Sequence, residues 1–272
     1  MDTVPEMSSH MLIVGCGNMG GAMLRGWIAA GRSPSLFTVI DPAAQDLPVG
    51  VRHVPSASAL DEIFDTVLIG IKPQMLESLA PAIRSRVAPG ALVFSILAGT
   101  MTATLAKLFP DTSIVRLMPN LSAEIGLSPL GLFSNDLSST ERETLADFVA
   151  PLGTPVWIEN ENLMDAVTAL AGSGPAFVYR FIDAMAKGGE SAGLPADTSA
   201  RLALATVEGA ARLAAASTES PATLAQRVTS PGGTTAAGLA VLDADDHLKK
   251  LIEATIKAAR DRGSELAKGD KL

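Results

Sequence analysis

Short apolar runs alternate with helical segments through the first half of the chain. The runs are four to six residues long, rich in Val, Ile and Leu, and lie at 11–14, 37–40, 66–71, 92–97 and 113–118. Such runs are typical of strands buried on both faces, and their alternation with helices predicts a parallel, doubly wound sheet. In a sheet of this kind ligands bind beyond the carboxyl ends of the strands.

The pattern changes near residue 158. From Asn162 onward the sequence is rich in alanine, and apolar residues recur at helical spacing, for example at 163, 166, 167 and 170. Many alanines with few aromatic residues favour close packing between helices, including those of a partner chain. We therefore predict an α/β protein with a loose leader over 1–10, a dinucleotide-binding Rossmann domain over 11–158, and an all-α dimerisation and substrate domain over 159–272.

The composition narrows the class of protein. Hydrophobic residues make up 47% of the 272 residues and charged residues only 18%, which favours a homo-oligomer. A net charge of -8 argues against binding to nucleic acid. The single cysteine, Cys16, and the absence of a signal peptide in residues 1–10 favour the cytoplasm. The long uncharged run 87–106 contains Pro89, Gly90 and Gly99, so we predict that it does not span a membrane.

A glycine loop lies between the first strand and the following helix. Residues Gly15–Gly20 match the pattern G-x-G-x-x-G, which places a dinucleotide pyrophosphate at the amino terminus of a helix. Asp41 ends the second strand, where its carboxylate can accept hydrogen bonds from ribose hydroxyls and repel a 2′-phosphate. No Lys or Arg lies between Asp41 and Arg52, so the local chemistry favours NADH. The alternative is that Asp41-Pro42 simply opens a turn.

A second glycine loop interrupts helical sequence far downstream. Residues 228–235 combine Gly232 and Gly233 with four hydroxyl residues. Consecutive glycines can turn backbone N–H groups toward one point and form a nest for a carboxylate, and hydroxyls add hydrogen-bond donors. The alternative is a tight turn between two helices.

These segments resemble the pyrroline-5-carboxylate reductase family. Besides the loops at 15–20 and 228–243, the resemblance extends in order to segments 70–74, 95–99, 116–120 and 171–176. Two departures stand out: Leu121-Ser122 where the family usually has Thr-Pro, and Ala57 where an asparagine is frequent.

The resemblance implies a fold, a reaction and a set of site residues. It implies a Rossmann domain, a helical domain that dimerises, dimers that assemble into larger rings, and a substrate pocket near the dimer interface. The implied reaction is hydride transfer from NADPH or NADH to L-1-pyrroline-5-carboxylate, giving L-proline. Together with the glycine loops, it assigns the substrate to Ser230, Gly232, Gly233, Thr234 and Thr235, and the cofactor to Gly15, Cys16, Gly17, Asn18, Met19, Gly20, Asp41, Ile71, Lys72, Pro73, Ile96, Leu97, Ala98, Met118, Pro119 and Asn120.

The chemistry of a cyclic imine agrees with this residue set. A protonated imine accepts hydride directly, so neither a metal nor a covalent nucleophile is required, and no Cys or His group has ligand spacing. Thr235 is the catalytic candidate: a hydroxyl that positions the ring nitrogen, with solvent as the ultimate proton source.

Two other functions are compatible with the layout. A β-hydroxyacid or ketopantoate-type reductase shares the two domains but carries a catalytic lysine on the helix after a glycine-rich turn. Here Val178 stands four residues after Gly174, and Lys187 comes too late. A non-catalytic NAD(P)H-binding sensor would have no need of the 228–235 loop.

Overall fold

The computed structural model describes residues 10–44 and 46–267. Within these residues eight strands form one sheet in the order β3-β2-β1-β4-β5-β6-β7-β8. The strands are β1 Met11–Val14, β2 Phe37–Ile40, β3 Arg52–Val54, β4 Phe64–Ile69, β5 Val87–Ser95, β6 Ser113–Met118, β7 Ser128–Phe133 and β8 Gly153–Trp157. The helices are α1 Asn18–Ala29, α2 Leu76–Arg84, α3 Thr102–Leu108, α4 Ser139–Val149, α5 Met164–Val167, α6 Gly174–Ser191, α7 Ala196–Ala216, α8 Pro221–Arg227, α9 Thr234–Leu242 and α10 His247–Ala267.

The α/β class and the doubly wound sheet are confirmed, and the expectation of a wholly parallel sheet is wrong at one pair. Strands β1 to β6 are parallel to one another, but β7 runs antiparallel to β6. The sequence pattern did not predict β7, because Pro129 and Gly131 interrupt its apolar residues. Gly131 is required there because a Cβ would lie 2.4 Å from Cγ1 of Val167.

The sheet buries a different cluster of side chains on each face. Met11 and Ile13 of β1 point to one cluster, where Trp27 of α1 stacks on Phe37. Leu12 and Val14 of β1 point to the opposite cluster. This alternation of buried side chains along one strand is the arrangement that helices on both faces of a sheet require.

The helical part of the chain forms its own compact unit. Two units divide between Gly172 and Ser173: the second covers Ser173–Ala258, and the end of α10 from Ala259 groups with the first. In the second unit α6 and α7 are packed together, and Ser199 Oγ donates a hydrogen bond to the carbonyl of Ala186. The boundary at 158 remains a prediction, and residues 1–9 of the predicted leader lie outside the described residues.

The helices of the second unit leave large apolar side chains exposed. Tyr179, Phe181, Leu202, Leu204 and Leu213 on α6 and α7 are each at least 46% exposed. An apolar surface of this extent is typical of a region that packs against a partner. None of the helices in the described ranges combines the length and the apolar character needed to cross a bilayer.

Candidate active site

The glycine loop after β1 is built by close backbone packing. Gly15 has a φ of +87°, and a Cβ on it would lie 2.7 Å from the carbonyl oxygen of Gly70. A Cβ on Gly20 would lie 2.5 Å from the carbonyl oxygen of Gly15. Only glycine therefore fits at these two positions.

The same loop leaves room for a ligand at Gly17. A Cβ on Gly17 would meet no atom within 4 Å, and within the described residues no side chain caps the amino terminus of α1, which begins at Asn18. The N–H groups of the first turn of a helix have no partner within the helix, and they attract anions. The loop with Asn18, Met19 and Gly20 therefore fits a dinucleotide pyrophosphate.

Asp41 connects the glycine loop to the turn after β2. Its Oδ2 accepts a hydrogen bond from the backbone N–H of Cys16 at 2.8 Å, and its Oδ1 accepts one from the N–H of Ala43 at 2.8 Å. The carboxylate thus opens a turn, as the alternative interpretation held, and it also contacts the glycine loop. Each oxygen retains a lone pair that a ribose hydroxyl can use.

Cys16 is a packing residue in this loop. Burial raises the pKa of its thiol to about 11, and the nearby charge of Asp41 acts in the same direction, while Arg25 opposes it. The thiol therefore stays protonated at neutral pH. This state fits its contact with the apolar cluster beside α1.

A cavity of about 560 Å³ opens beside the glycine loop. Five predicted cofactor residues line it: Gly15, Gly17, Asp41, Ile71 and Lys72. The size is in the range of pockets that bind small molecules. The lining also includes Ala57, one of the two departures from the family pattern, and Ser56, Ser58, Met75, Leu79, Ala82 and Ile83, which we did not predict from the sequence. The apolar residues at 75, 79, 82 and 83 recur at helical spacing, and that signal was available in the sequence.

The remaining predicted cofactor residues follow the next strands along the same edge of the sheet. Ile96, Leu97 and Ala98 come directly after β5, and Met118 ends β6. They lie outside the lining of the cavity, as do Pro73, Pro119 and Asn120. The carboxyl ends of neighbouring parallel strands lie at one edge of the sheet. These segments therefore lie along the same edge as the cavity, farther from Asp41.

Asn120 is buried and hydrogen-bonded within the protein. It is 4% exposed, its Nδ2 donates to the carbonyl of Ala171 at 2.9 Å, and its Oδ1 accepts from the N–H of Ser122 at 2.9 Å. Its side chain therefore fixes the turn after β6 to the π-helical segment Thr168–Gly172.

The predicted substrate loop lies in the second unit, between α8 and α9. Gly232 has a φ of +70°, the N–H of Gly233 donates to the carbonyl of Ser230 at 3.0 Å, and Thr229 Oγ1 donates to the carbonyl of Ala225 at 2.6 Å. The loop is therefore a turn between helices, and it also presents the amino terminus of α9. Ser230, Gly232, Thr234 and Thr235 are all exposed within the chain.

The described residues contain no group of three or more His, Cys, Asp or Glu side chains placed to hold a metal ion.

Two family models match the chain. The model described as pyrroline-5-carboxylate reductase dimerisation matches residues 161–266. The model described as NADP oxidoreductase, coenzyme F420-dependent, matches residues 11–99.

Relatives match along nearly the full length. A pyrroline-5-carboxylate reductase of Synechocystis sp. is 38% identical over 96% of this chain and 100% of its own length. The enzyme of the same name from Pseudomonas aeruginosa is 34% identical over 95% and 97%. Among solved structures, the pyrroline-5-carboxylate reductase of Coxiella burnetii superposes with a TM-score of 0.87 at 29% identity, covering 95% of this chain and 98% of that one. The Plasmodium falciparum pyrroline carboxylate reductase with NADP bound has a TM-score of 0.82 at 26% identity, with the same coverage. This chain belongs to the pyrroline-5-carboxylate reductase family.

Proposed function

We propose that this protein reduces L-1-pyrroline-5-carboxylate to L-proline, the last step of proline biosynthesis, with NAD(P)H as the hydride donor. The observation that carries the proposal is the similarity to enzymes of that name along the whole chain, 38% identity over 96% of it in the Synechocystis relative. The same observation disfavours a ketoacid reductase or a sensor that only binds the dinucleotide.

The residues divide the work between two loops. The amides of the glycine loop and of the first turn of α1 bind the pyrophosphate, and the cavity beside Asp41 takes the adenosine. In the turn formed by Gly232, Gly233 and Thr234, the N–H of Gly233 is bonded to the carbonyl of Ser230, so the N–H groups of Gly232 and Thr234 are the ones offered to the substrate carboxylate. Bound NAD(P)H supplies a hydride for the electrophilic carbon of the protonated imine.

Thr235 acts as the catalytic residue in this proposal. Its hydroxyl accepts a hydrogen bond from the protonated ring nitrogen and holds the ring in one orientation. A threonine hydroxyl is too weak an acid to protonate the imine unaided, so the proton on nitrogen comes from solvent.

The local charges support a preference for NADH over NADPH. The carboxylate of Asp41 repels a 2′-phosphate, residues 42–51 contain no Lys or Arg, and the guanidinium of Arg52 pairs with Glu62. A higher kcat/KM with NADPH than with NADH would show that Asp41 does not control this end of the cofactor.

Assembly and location complete the proposal. The chain carries a dimerisation domain, and we propose that dimers associate further into a larger homo-oligomer in the cytoplasm. The single cysteine supports a reducing compartment. The molar mass measured by light scattering during size exclusion should be an even multiple, above two, of the 28.0 kDa chain mass; a mass of one or two chains would contradict the larger assembly.

The direct test of the activity compares substrates in parallel. We expect oxidation of NADH, followed at the nicotinamide absorbance, with pyrroline-5-carboxylate and none with a panel of ketoacids. Turnover of a ketoacid without turnover of the imine would refute the proposed reaction.

A further inference from the structure

A network of polar side chains, buried at Thr102 and Arg116 and exposed at Asn135, adjoins the segment that follows β5. It consists of Thr102, Arg116, Asn135 and Glu161, which are far apart in sequence. Glu161 lies 59 residues from Thr102 and 45 residues from Arg116. Neither loop assigned to the proposed reaction contains any of them.

Glu161 supplies the cap for α3. This helix begins at Thr102, and no side chain of the preceding residue Met101 caps it. The Oε1 of Glu161 accepts a hydrogen bond from the Thr102 N–H at 2.7 Å, and its Oε2 accepts one from Thr102 Oγ1 at 2.8 Å. Asn135 Nδ2 donates to the same hydroxyl at 3.0 Å. The first residue of α3 is therefore held at its backbone and at its side chain.

Arg116 compensates the charge of Glu161. Its Nη1 lies 3.0 Å from Oε1 of Glu161, and the two side chains are only 3% and 11% exposed. A buried carboxylate with a charged partner and two further hydrogen bonds is restrained in position, because any displacement leaves a buried charge uncompensated. Arg116 Nη2 is buried with no hydrogen-bond partner among the described residues.

The network adjoins two segments that the proposed function assigns to the cofactor. Thr102 directly follows the loop 96–101, whose first three residues are assigned to the cofactor. Arg116 lies two residues before Met118, which is also assigned to the cofactor. Glu161 is also the first residue of the segment that matches the dimerisation model. One carboxylate thus ties the start of α3 and the strand β6 to the beginning of that segment.

We propose that Glu161 is a positioning residue for the cofactor: through Thr102 and Arg116 it holds the 96–101 loop in the conformation that binds the nicotinamide half of NAD(P)H. The inference rests on the proposed function, since that function assigns the loop to the cofactor.

The primary test measures NADH affinity by calorimetry on the purified full-length protein. Glu161→Gln keeps the shape but removes the charge, and we expect its Kd for NADH to rise by about 10- to 100-fold, as for a misplaced binding segment. Glu159→Gln is the matched control, because Glu159 lies two residues away, is 82% exposed and makes only a 3.7 Å ion pair with Arg142. An NADH Kd of folded Glu161→Gln that equals that of the control would overturn the proposal.

A second pair of variants separates positioning from folding. Thr102→Ser keeps the hydroxyl and should keep the NADH Kd, whereas Thr102→Val loses two hydrogen bonds and should raise it about three- to tenfold. If Glu161→Gln does not fold, this pair decides the matter: equal Kd values for Ser and Val would contradict the proposal. Because affinity is measured without turnover, an inactive wild-type enzyme that still binds NADH would refute the proposed reaction and leave this test intact.

Discussion

The two glycine loops of this chain are built in opposite ways. In the 15–20 loop, backbone packs against backbone. A Cβ on Gly15 would lie 2.7 Å from the carbonyl oxygen of Gly70, and a Cβ on Gly20 would lie 2.5 Å from that of Gly15. In the 228–235 loop, a Cβ on Gly232 would meet nothing within 4 Å, and most of the loop is exposed within its own unit. The first loop is closely packed at Gly15 and Gly20, whereas the second loop has free space beside Gly232.

This difference separates two uses of glycine. At Gly15 the residue permits close packing, so a substitution acts on the fold and on the ligand together. At Gly232 the positive φ is required by the turn, while the space beside it is free for a ligand. We therefore expect truncation of the exposed threonines of the second loop to change catalysis with little loss of stability, and a side chain at Gly15 to change both ligand binding and stability.

The largest effect is expected from Thr235→Ala. Removing the hydroxyl should lower kcat/KM by about 10²-fold, because the imine is then no longer held in one orientation. The melting temperature should not change, since Thr235 is exposed. Steady-state kinetics check the result, with Thr206→Ala on α7 as the control for loss of an exposed helical threonine. An unchanged rate would remove Thr235 from the mechanism.

Gly15→Ala and Gly17→Ala form a matched pair of variants in the 15–20 loop. Gly15→Ala should destabilise the protein by about 1–3 kcal/mol through strain at a positive φ, and it should also weaken NADH binding. Gly17 has a φ of -69° and open space around it, so its alanine variant should retain stability and lose only NADH affinity. Thermal unfolding and calorimetry measure both effects. Equal losses of stability in the two variants would show that the loop is not packed as described.

Asp41→Ser tests the adenosine end of the same loop. Serine removes the negative charge while keeping an oxygen for the N–H of Cys16 or Ala43, so the ratio of kcat/KM for NADPH over NADH should rise by about tenfold or more. Asp147→Ser, at an exposed position of α4, controls for the change in net charge. A ratio that stays constant would exclude Asp41 as the determinant of cofactor choice.

The smallest expected effect is on the reactivity of the Cys16 thiol. Because burial and Asp41 raise the pKa of its thiol to about 11, the thiolate that reacts with iodoacetamide is about a thousandth of the total at pH 8 and increases about tenfold per pH unit below the pKa. Labelling should therefore be slow at pH 8 and accelerate up to pH 10, as mass spectrometry can follow. A rate that levels off near pH 9 would indicate an ordinary exposed thiol and an open loop.

The sequence predicted the parts of the site that depend on local pattern. The strand, glycine loop and helix at 11–29 needed only periodicity and a motif, and Asp41 was placed by its distance from that motif. The strands β7 and β8 were missed because Pro129, Gly131 and Pro155 break the apolar pattern that marks a strand.

Contacts between distant residues were out of reach of the pattern. Nothing in the composition around Glu161 indicates that it caps α3, because the cap lies 59 residues away. The hydrogen bond from the N–H of Cys16 to Asp41 likewise depends on how β1 and β2 are paired, whereas the bond from the N–H of Ala43 is local to the turn. The sequence indicates which residues belong to the candidate site, and the packing of the fold determines which partners each of them contacts.

One measurement tests the central claim most directly: the fate of the hydride. The protein is incubated with L-1-pyrroline-5-carboxylate and NADH carrying deuterium at both hydrogen positions of C4 of the nicotinamide, and the product is analysed by mass spectrometry. We predict L-proline with a single deuterium on the carbon that was part of the C=N bond. Proline without deuterium, or no proline with either NADH or NADPH, would contradict a direct hydride transfer to the imine.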